Sequence, residues 1–223
     1  MTQKWSYSSL KQLITCPKQY QEIRLFKNYI PQENMHSLYG KEVHEALENY
    51  VKDDADLPLN YLKFKSMVDA LKGLAGEKYT ELKMGLKKDK TYCEFDDEDY
   101  WVHGIADLVI VDGDTAFIVD YKTGNPRYAD HKQLKLMALM VFAKFEQVNL
   151  CKSGLLFLGK NSFMPEDYWR KDIDKLWAAF HGDLKKMELH FETGNWPANP
   201  NGLCKRFCPV TSCKYNGDHN AVR

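Results

Sequence analysis

Two aspartates and a lysine stand where a strand should be apolar. The stretch HGIADLVIVDGDTAFIVDYKTG, residues 103–124, is dominated by the valine, isoleucine and phenylalanine of core sheet. Asp107 interrupts its first half; Asp120 and Lys122, flanking Tyr121, interrupt its second. Charges buried in a sheet are costly unless paired or bound to an ion. Two carboxylates beside one ammonium therefore predict a cation site. Asp107 and Asp120 would hold Mg²⁺ or Mn²⁺, with the backbone carbonyl of Tyr121 as a third oxygen. Metal-assisted hydrolysis is the chemistry such a site suits. The cation would activate water, and Lys122 would orient that water or stabilise charge in the transition state.

Strand counting supports this placement. Asp112-Gly113 is a two-residue hairpin signal. It pairs Val111 with Asp114 and hence Asp107 with Ile118. The period of two then sets Asp107, Ile118, Asp120 and Lys122 on one face. Asp107 and Asp120 become diagonal neighbours roughly 7–8 Å apart. A three-residue loop would send Asp120 to the opposite face and abolish the site.

The elements that must position these strands follow from periodicity and caps. Ser8 or Ser9 caps a helix bearing Leu10, Leu13 and Ile14, and Pro17 opens a second helical stretch reaching about Phe26. A loop is expected over 28–37. Gly40 then precedes a helix with Val43, Leu47, Tyr50 and Val51 on its apolar face. An acidic loop over 53–60 leads into a helix over 61–79. Strands are expected over 80–86, 91–95, 100–111 and 116–122, followed by a helix over 127–145. A short strand over 154–159 and a long helix over 166–192, entered after Pro165, complete the pattern. The order predicts an α/β class, a central mixed sheet flanked by helices. A single domain over 1–223 would comprise a helical N-terminal section (1–78), a core (79–194) and a cysteine-bearing tail (195–223).

Composition narrows the function. The 31 Lys and Arg balance 31 Asp and Glu, which argues against a protein that coats nucleic acid indiscriminately but allows a local basic groove. Candidate basic stretches are residues 83–90, read as a solvated face; Lys122 with Arg127, His131, Lys132 and Lys135; and Lys205-Arg206. An acidic run over 94–99 offsets them. No run approaches the about eighteen apolar residues of a membrane span, and the first residues lack an apolar signal region. The expected location is the cytoplasm, with the six cysteines as thiols or metal ligands rather than disulfides.

The motifs Gly104-x-x-Asp107 and Asp120-x-Lys122 resemble the PD-(D/E)XK nuclease superfamily, and the wider chain is similar to its RecB-like exonuclease branch. SYSSLKQLITCPKQY, residues 6–20, resembles that branch's opening helix with its Cys-Pro. Gly40-x-x-x-His44 matches the position of its metal-binding histidine. The helix after the hairpin carries Gln133, with Met137 where the branch has tyrosine. The chain closes on Cys204, Cys208 and Cys213. The resemblance covers nearly the whole chain and implies a restriction-endonuclease-like fold. It also implies a Mg²⁺- or Mn²⁺-dependent exonuclease acting on single-stranded or end-bearing duplex DNA. Asp107, Asp120, Lys122 and Gln133 would be catalytic, and His44 would join Asp107, Asp120 and Tyr121 at the metal; an imidazole ligand favours tolerance of manganese. The branch serves recombination, repair, CRISPR spacer acquisition and phage replication, and the form without a helicase resembles stand-alone phage or CRISPR-associated members.

The same resemblance implies that Cys16, Cys204, Cys208 and Cys213 hold a [4Fe–4S] cluster, one early and three late thiolates. The late cysteines depart from the branch in spacing, x3 then x4 in place of x2 then x5. Four thiolates also suit zinc, and three reduced cysteines in a loose tail are the plain alternative. Cys93 and Cys151 read as ordinary thiols and His103 as a core strand histidine; Glu81, on the strand before the hairpin, is either an extra acid near the site or a surface acid, and the surface reading is preferred. Two rival functions are an inactive nucleic-acid-binding module and a zinc-stabilised interaction domain. The intact core motif speaks against the first; the second leaves Asp107, Asp120 and Lys122 unexplained.

Overall fold

The computed structural model describes residues 3–30 and 33–217. Its chain divides into two compact units, one built from Trp5–Asn34 and Phe180–Arg223, the other from Met1–Lys4 and Met35–Ala179.

The first of these opens with β1 (Trp5–Ser6) and α1 (Tyr7–Thr15). The cap is Ser6 rather than Ser8 or Ser9. Ser9 N–H donates to Ser6 Oγ while Ser6 N–H donates to Ser9 Oγ, a capping box closed by two serines. Leu10 and Leu13 are buried. After Cys16 the backbone turns again into α2 (Pro17–Tyr20), with Pro17 in the first turn where its missing N–H costs nothing. The Tyr20 ring stacks on Trp196 at 5.8 Å, and Phe191 meets both rings edge-on. A run of turns then carries the chain to Gly217.

The second unit holds α3 (Met35–Lys52), α4 (Lys65–Lys72), β2 (Glu77–Leu86), β3 (Tyr92–Cys93), β4 (Val102–Asp112), β5 (Thr115–Lys122), α5 (Lys132–Lys144), β6 (Leu150–Phe157) and β7 (Ser162–Trp169). Strand order is β3-β2-β4-β5-β6-β7. Every step is antiparallel except β5 to β6, the one needing a crossover, which α5 supplies. The expected α/β class with a mixed sheet and flanking helices is therefore present. Val43, Leu47, Phe64 and Val68 pack against Leu108, Ile110, Val119 and Tyr121. α5 is buried along most of its length, and Met137 fills the space where a side chain at Gly104 would sit.

Several expected elements differ: β6 spans Leu150–Phe157 where a strand over 154–159 is expected, β3 is only Tyr92–Cys93, and α5 starts at Lys132 rather than at 127. α3 starts at Met35, so Gly40 lies inside it rather than before it; of the loop expected over 28–37, residues 31 and 32 lie outside the described residues. The helix expected over 61–79 is a 3₁₀ segment over Leu59–Phe64 followed by α4, which ends before Gly73; Gly76, at φ +110°, turns the chain into β2. Pro165 does not open a helix. It lies in β7, at the end of the strand order, where a residue without an N–H is tolerated, and the long helix spans Ile173–Thr193.

Candidate metal and catalytic site

The hairpin turns on Gly113 and Asp114, with Asp112 paired to Thr115 and Val111 to Ala116. Gly113 takes φ +58° and Asp114 stays at negative φ, the pattern of a turn with glycine in its first central position. The register therefore differs by two residues from that of a turn on Asp112-Gly113. The shift is even, so its parity is unchanged, and continuing the count sets Asp107 directly opposite Asp120 rather than diagonal to it. Leu108–Val119 is the last bonded pair. Just beyond it, Asp107 Oδ2 accepts the Tyr121 N–H at 2.7 Å, which anchors the carboxylate where the strands part.

Three elements converge on Asp107. One ligand atom each from His44 of α3, Glu81 of β2 and Asp107 of β4 lies within 4.8 Å of the others. His44 Nδ1 is 3.5 Å from Asp107 Oδ2, and its ring meets Tyr121 edge-on. The group opens into a cleft of about 480 Å³ lined by Ser37, Gly40, Lys41 and Glu48. An imidazole with two carboxylates is a donor set that fits Mn²⁺ or Mg²⁺.

Glu81 is the functional candidate that sequence reasoning set aside as surface. It is partly buried, and its φ is +45°. For a residue with a β-carbon that conformation costs on the order of 1–3 kcal/mol, a strain that tends to collect at functional sites. Thr80 pairs with Leu108 and Leu82 with Ala106, so Glu81 faces Asp107 across a gap in the ladder. The residue could have been found from that register, but the excursion between β2 and β4 hides it from strand counting.

Asp120 stands beside this trio rather than within it. Its side chain is buried. Lys122 Nζ lies 2.5 Å from Asp120 Oδ2, so one ammonium compensates the enclosed carboxylate. Lys122 also donates to Gln133 Oε1 at 3.2 Å, so Gln133 holds the lysine rather than standing free on α5. Tyr121 is buried, and its backbone N–H serves Asp107. Met137 is core packing, so no hydroxyl enters from its position. His103 lies outside the group, stacked between Phe95 and Tyr100 with centroids at 4.3 and 4.5 Å.

The electrostatics report crowded negative charge. Burial, then the charge of Asp107, pushes Asp120 up to about 6, and Lys122 only partly offsets them. Burial and the neighbouring Asp107 and Glu48 also raise Glu81. Burial opposes charge on His44, but the hydrogen bond and charge of Asp107, with Asp120 and Glu81 behind it, outweigh that and lift its pKa. A cation relieves all three at once. Glu81→Gln keeps the side-chain shape and removes a charge. It is expected to weaken Mn²⁺ binding, measured by titration calorimetry, by at least about tenfold.

A family model described as the PD-(D/E)XK nuclease superfamily matches residues 4–213. The solved structure named "Putative exonuclease" from Eubacterium rectale aligns with 91% of this chain and 86% of its own at 14% identity and a TM-score of 0.51, a likeness of fold. The structure named SSO0001 aligns over 97% of this chain and 88% of its own at 14% identity, with a TM-score of 0.49. No curated protein matches the sequence.

Proposed function

Because the chain belongs to the PD-(D/E)XK nuclease superfamily, we propose that it is a Mg²⁺- or Mn²⁺-dependent deoxyribonuclease that degrades DNA from its ends. The carrying observation is the convergence of His44, Glu81 and Asp107 beside a buried Asp120 paired with Lys122. In this reading His44, Glu81, Asp107 and Asp120 provide the cation's ligands, with the Tyr121 carbonyl as a further oxygen. A bound cation supplies charge neutralisation and an acidified water. The Tyr121 N–H fixes the Asp107 carboxylate, and α3 brings the imidazole to it. Lys122, steadied by Asp120 and Gln133, presents its ammonium to the phosphate and stabilises charge that develops there.

Action on ends is supported by the name of the Eubacterium rectale structure and by the resemblance of the motifs, and it suits roles in phage or bacterial DNA recombination, repair or replication. No helix among the described residues is long and apolar enough to cross a membrane. The test compares linear DNA labelled at the 5′ or 3′ end, single-stranded and duplex, with covalently closed circles. Release of short products from linear DNA while circles persist is expected. Cleavage of circles as fast as linear DNA would replace the exonuclease with an endonuclease, and binding without cleavage would favour the inactive module.

We further propose that Cys16, Cys204, Cys208 and Cys213 hold a [4Fe–4S] cluster. All four line one small hollow, and none is in a disulfide. Three of the sulfurs already face N–H donors: Asn199 N–H to Cys16, Gln19 Nε2 to Cys208 and Asn201 N–H to Cys204, at 3.3–3.5 Å. Such bonds tune cluster thiolates. Protein purified without oxygen is expected to be brown, absorbing at about 400 nm. Cys208→Ser is expected to lose the colour and several degrees of thermal stability, because the staple joins residues nearly a full chain apart. A colourless, metal-free protein whose four thiols react freely while folded would exclude the cluster.

A further inference from the structure

The tail that carries the late cysteines also presents a surface that neither metal reading uses. Phe207 is 68% exposed, Leu203 49% and Tyr215 40%. Around them Lys205, Arg206 and Lys214 are exposed, and residues 194–217 contain no carboxylate at all. The unit to which the tail belongs has ten Lys and Arg against six Asp and Glu, although the whole chain is balanced. These groups are not on a loose strand. Gly217 N–H donates to the Cys204 carbonyl at 3.3 Å, Asn216 Nδ2 donates to the Cys208 carbonyl at 2.8 Å, and Cys208 N–H closes back on Leu203. The turn bearing Phe207 is thus tied to the turn bearing Tyr215, and Lys214 Nζ lies 4.9 Å over the Tyr215 ring.

We propose that the Leu203–Gly217 turns are a docking surface for single-stranded DNA; this deepens the nuclease reading and rests on it. Exposed aromatic faces beside cations are what an unpaired strand requires, since any base can stack on a ring while Lys and Arg take the phosphates. A duplex hides its base faces and would use the cations alone. An anionic membrane would also attract cations and aromatics, but interfacial segments gather them on one face of an amphipathic helix. Here they lie on two short turns linked by backbone bonds.

The test uses the full chain as purified, in an Asp107→Ala background so that bound DNA stays intact. Fluorescence anisotropy follows a labelled oligothymidylate of about 20 nucleotides. Phe207→Ala with Tyr215→Ala is expected to weaken binding by at least about tenfold, and Phe207→Trp with Tyr215→Trp to retain it. Lys205→Ala with Arg206→Ala is expected to lower the slope of log affinity against log salt by about 1.4. In the otherwise native chain, Phe207→Ala with Tyr215→Ala is expected to hydrolyse thymidine 5′-p-nitrophenyl phosphate at the native rate, since that ester reaches only the metal site. Failure of the native chain to hydrolyse the ester or DNA would sink the nuclease reading. Native hydrolysis together with unchanged oligothymidylate affinity and salt slope would overturn the docking surface alone. Equal losses for a blunt duplex, or dependence on these side chains for binding phosphatidylserine vesicles but not DNA, would overturn it as well. Because the substituted rings are exposed, unchanged circular dichroism is expected; the Lys205 and Arg206 pair decides the matter if the ring variants fail to fold.

Discussion

Asp107→Ala, Asp120→Ala and Lys122→Ala are each expected to reduce DNA cleavage by at least about a thousandfold, to the limit of most assays. The three losses have different causes. Without Asp107 the trio with His44 and Glu81 loses its centre, and the Tyr121 N–H loses its acceptor. Without Asp120 the lysine loses its nearest counter-charge and the cation a buried ligand. Without Lys122 the site keeps its ligands but not the ammonium, so Mn²⁺ should still bind to that variant while turnover fails. Gln133→Ala, which frees the lysine from one partner only, is expected to cost about tenfold. Cleavage by Asp120→Ala at near-native rate, with contaminating nuclease excluded, would refute the assignment.

The second large effect is on stability, and its sign is unusual for removal of one partner of an ion pair. Asp120 titrates at about 6 in the folded protein against an ordinary 3.8. Between those values the folded chain holds a proton that the unfolded chain has released. Its contribution is therefore stabilising at low pH, is lost as pH rises through about 6, and is absent at neutral pH. There the folded chain holds the ionised carboxylate at a cost of up to about 3 kcal/mol relative to the same carboxylate in the unfolded chain. Asp120→Asn is accordingly expected to raise the stability of cation-free protein by about 1–3 kcal/mol at neutral pH and to change it little below the ordinary carboxylate range. Added Mn²⁺ is expected to stabilise the native chain and to do much less for Asp120→Asn. Urea unfolding with and without chelator measures both. A marked loss of stability in Asp120→Asn at neutral pH would show that the Lys122 pair, and not burial together with the Asp107 charge, dominates the carboxylate.

Much of the site was legible before the fold was known. The β4–β5 hairpin announces itself by period-two apolar residues on both sides of a glycine turn, and its acids are conspicuous because core strands rarely carry them. The register was misjudged because Asp112-Gly113 and Gly113-Asp114 are both acceptable turns; Gly113 in the first central position decides for the latter. The slip was harmless because it was even. Glu81 was ranked as surface rather than site for a different reason. Its role depends on which residue of β2 faces Asp107, and the chain between β2 and β4 leaves the sheet, adds β3 and returns. His44 and the cysteines were legible through family resemblance and not through local pattern, since a histidine on an amphipathic helix and three cysteines in a tail have common structural uses. The helix expected after Pro165 failed because a proline at an edge strand satisfies the same local signals as one before a helix.

The most direct measurement is cleavage of end-labelled DNA by chelator-treated protein, before and after Mg²⁺ or Mn²⁺ is restored. No products should form without a cation, and activity should return with either ion, more readily with Mn²⁺ given the imidazole of His44. Undiminished cleavage in chelator, or none with any divalent ion, would contradict a cation-dependent nuclease at Asp107 and Asp120.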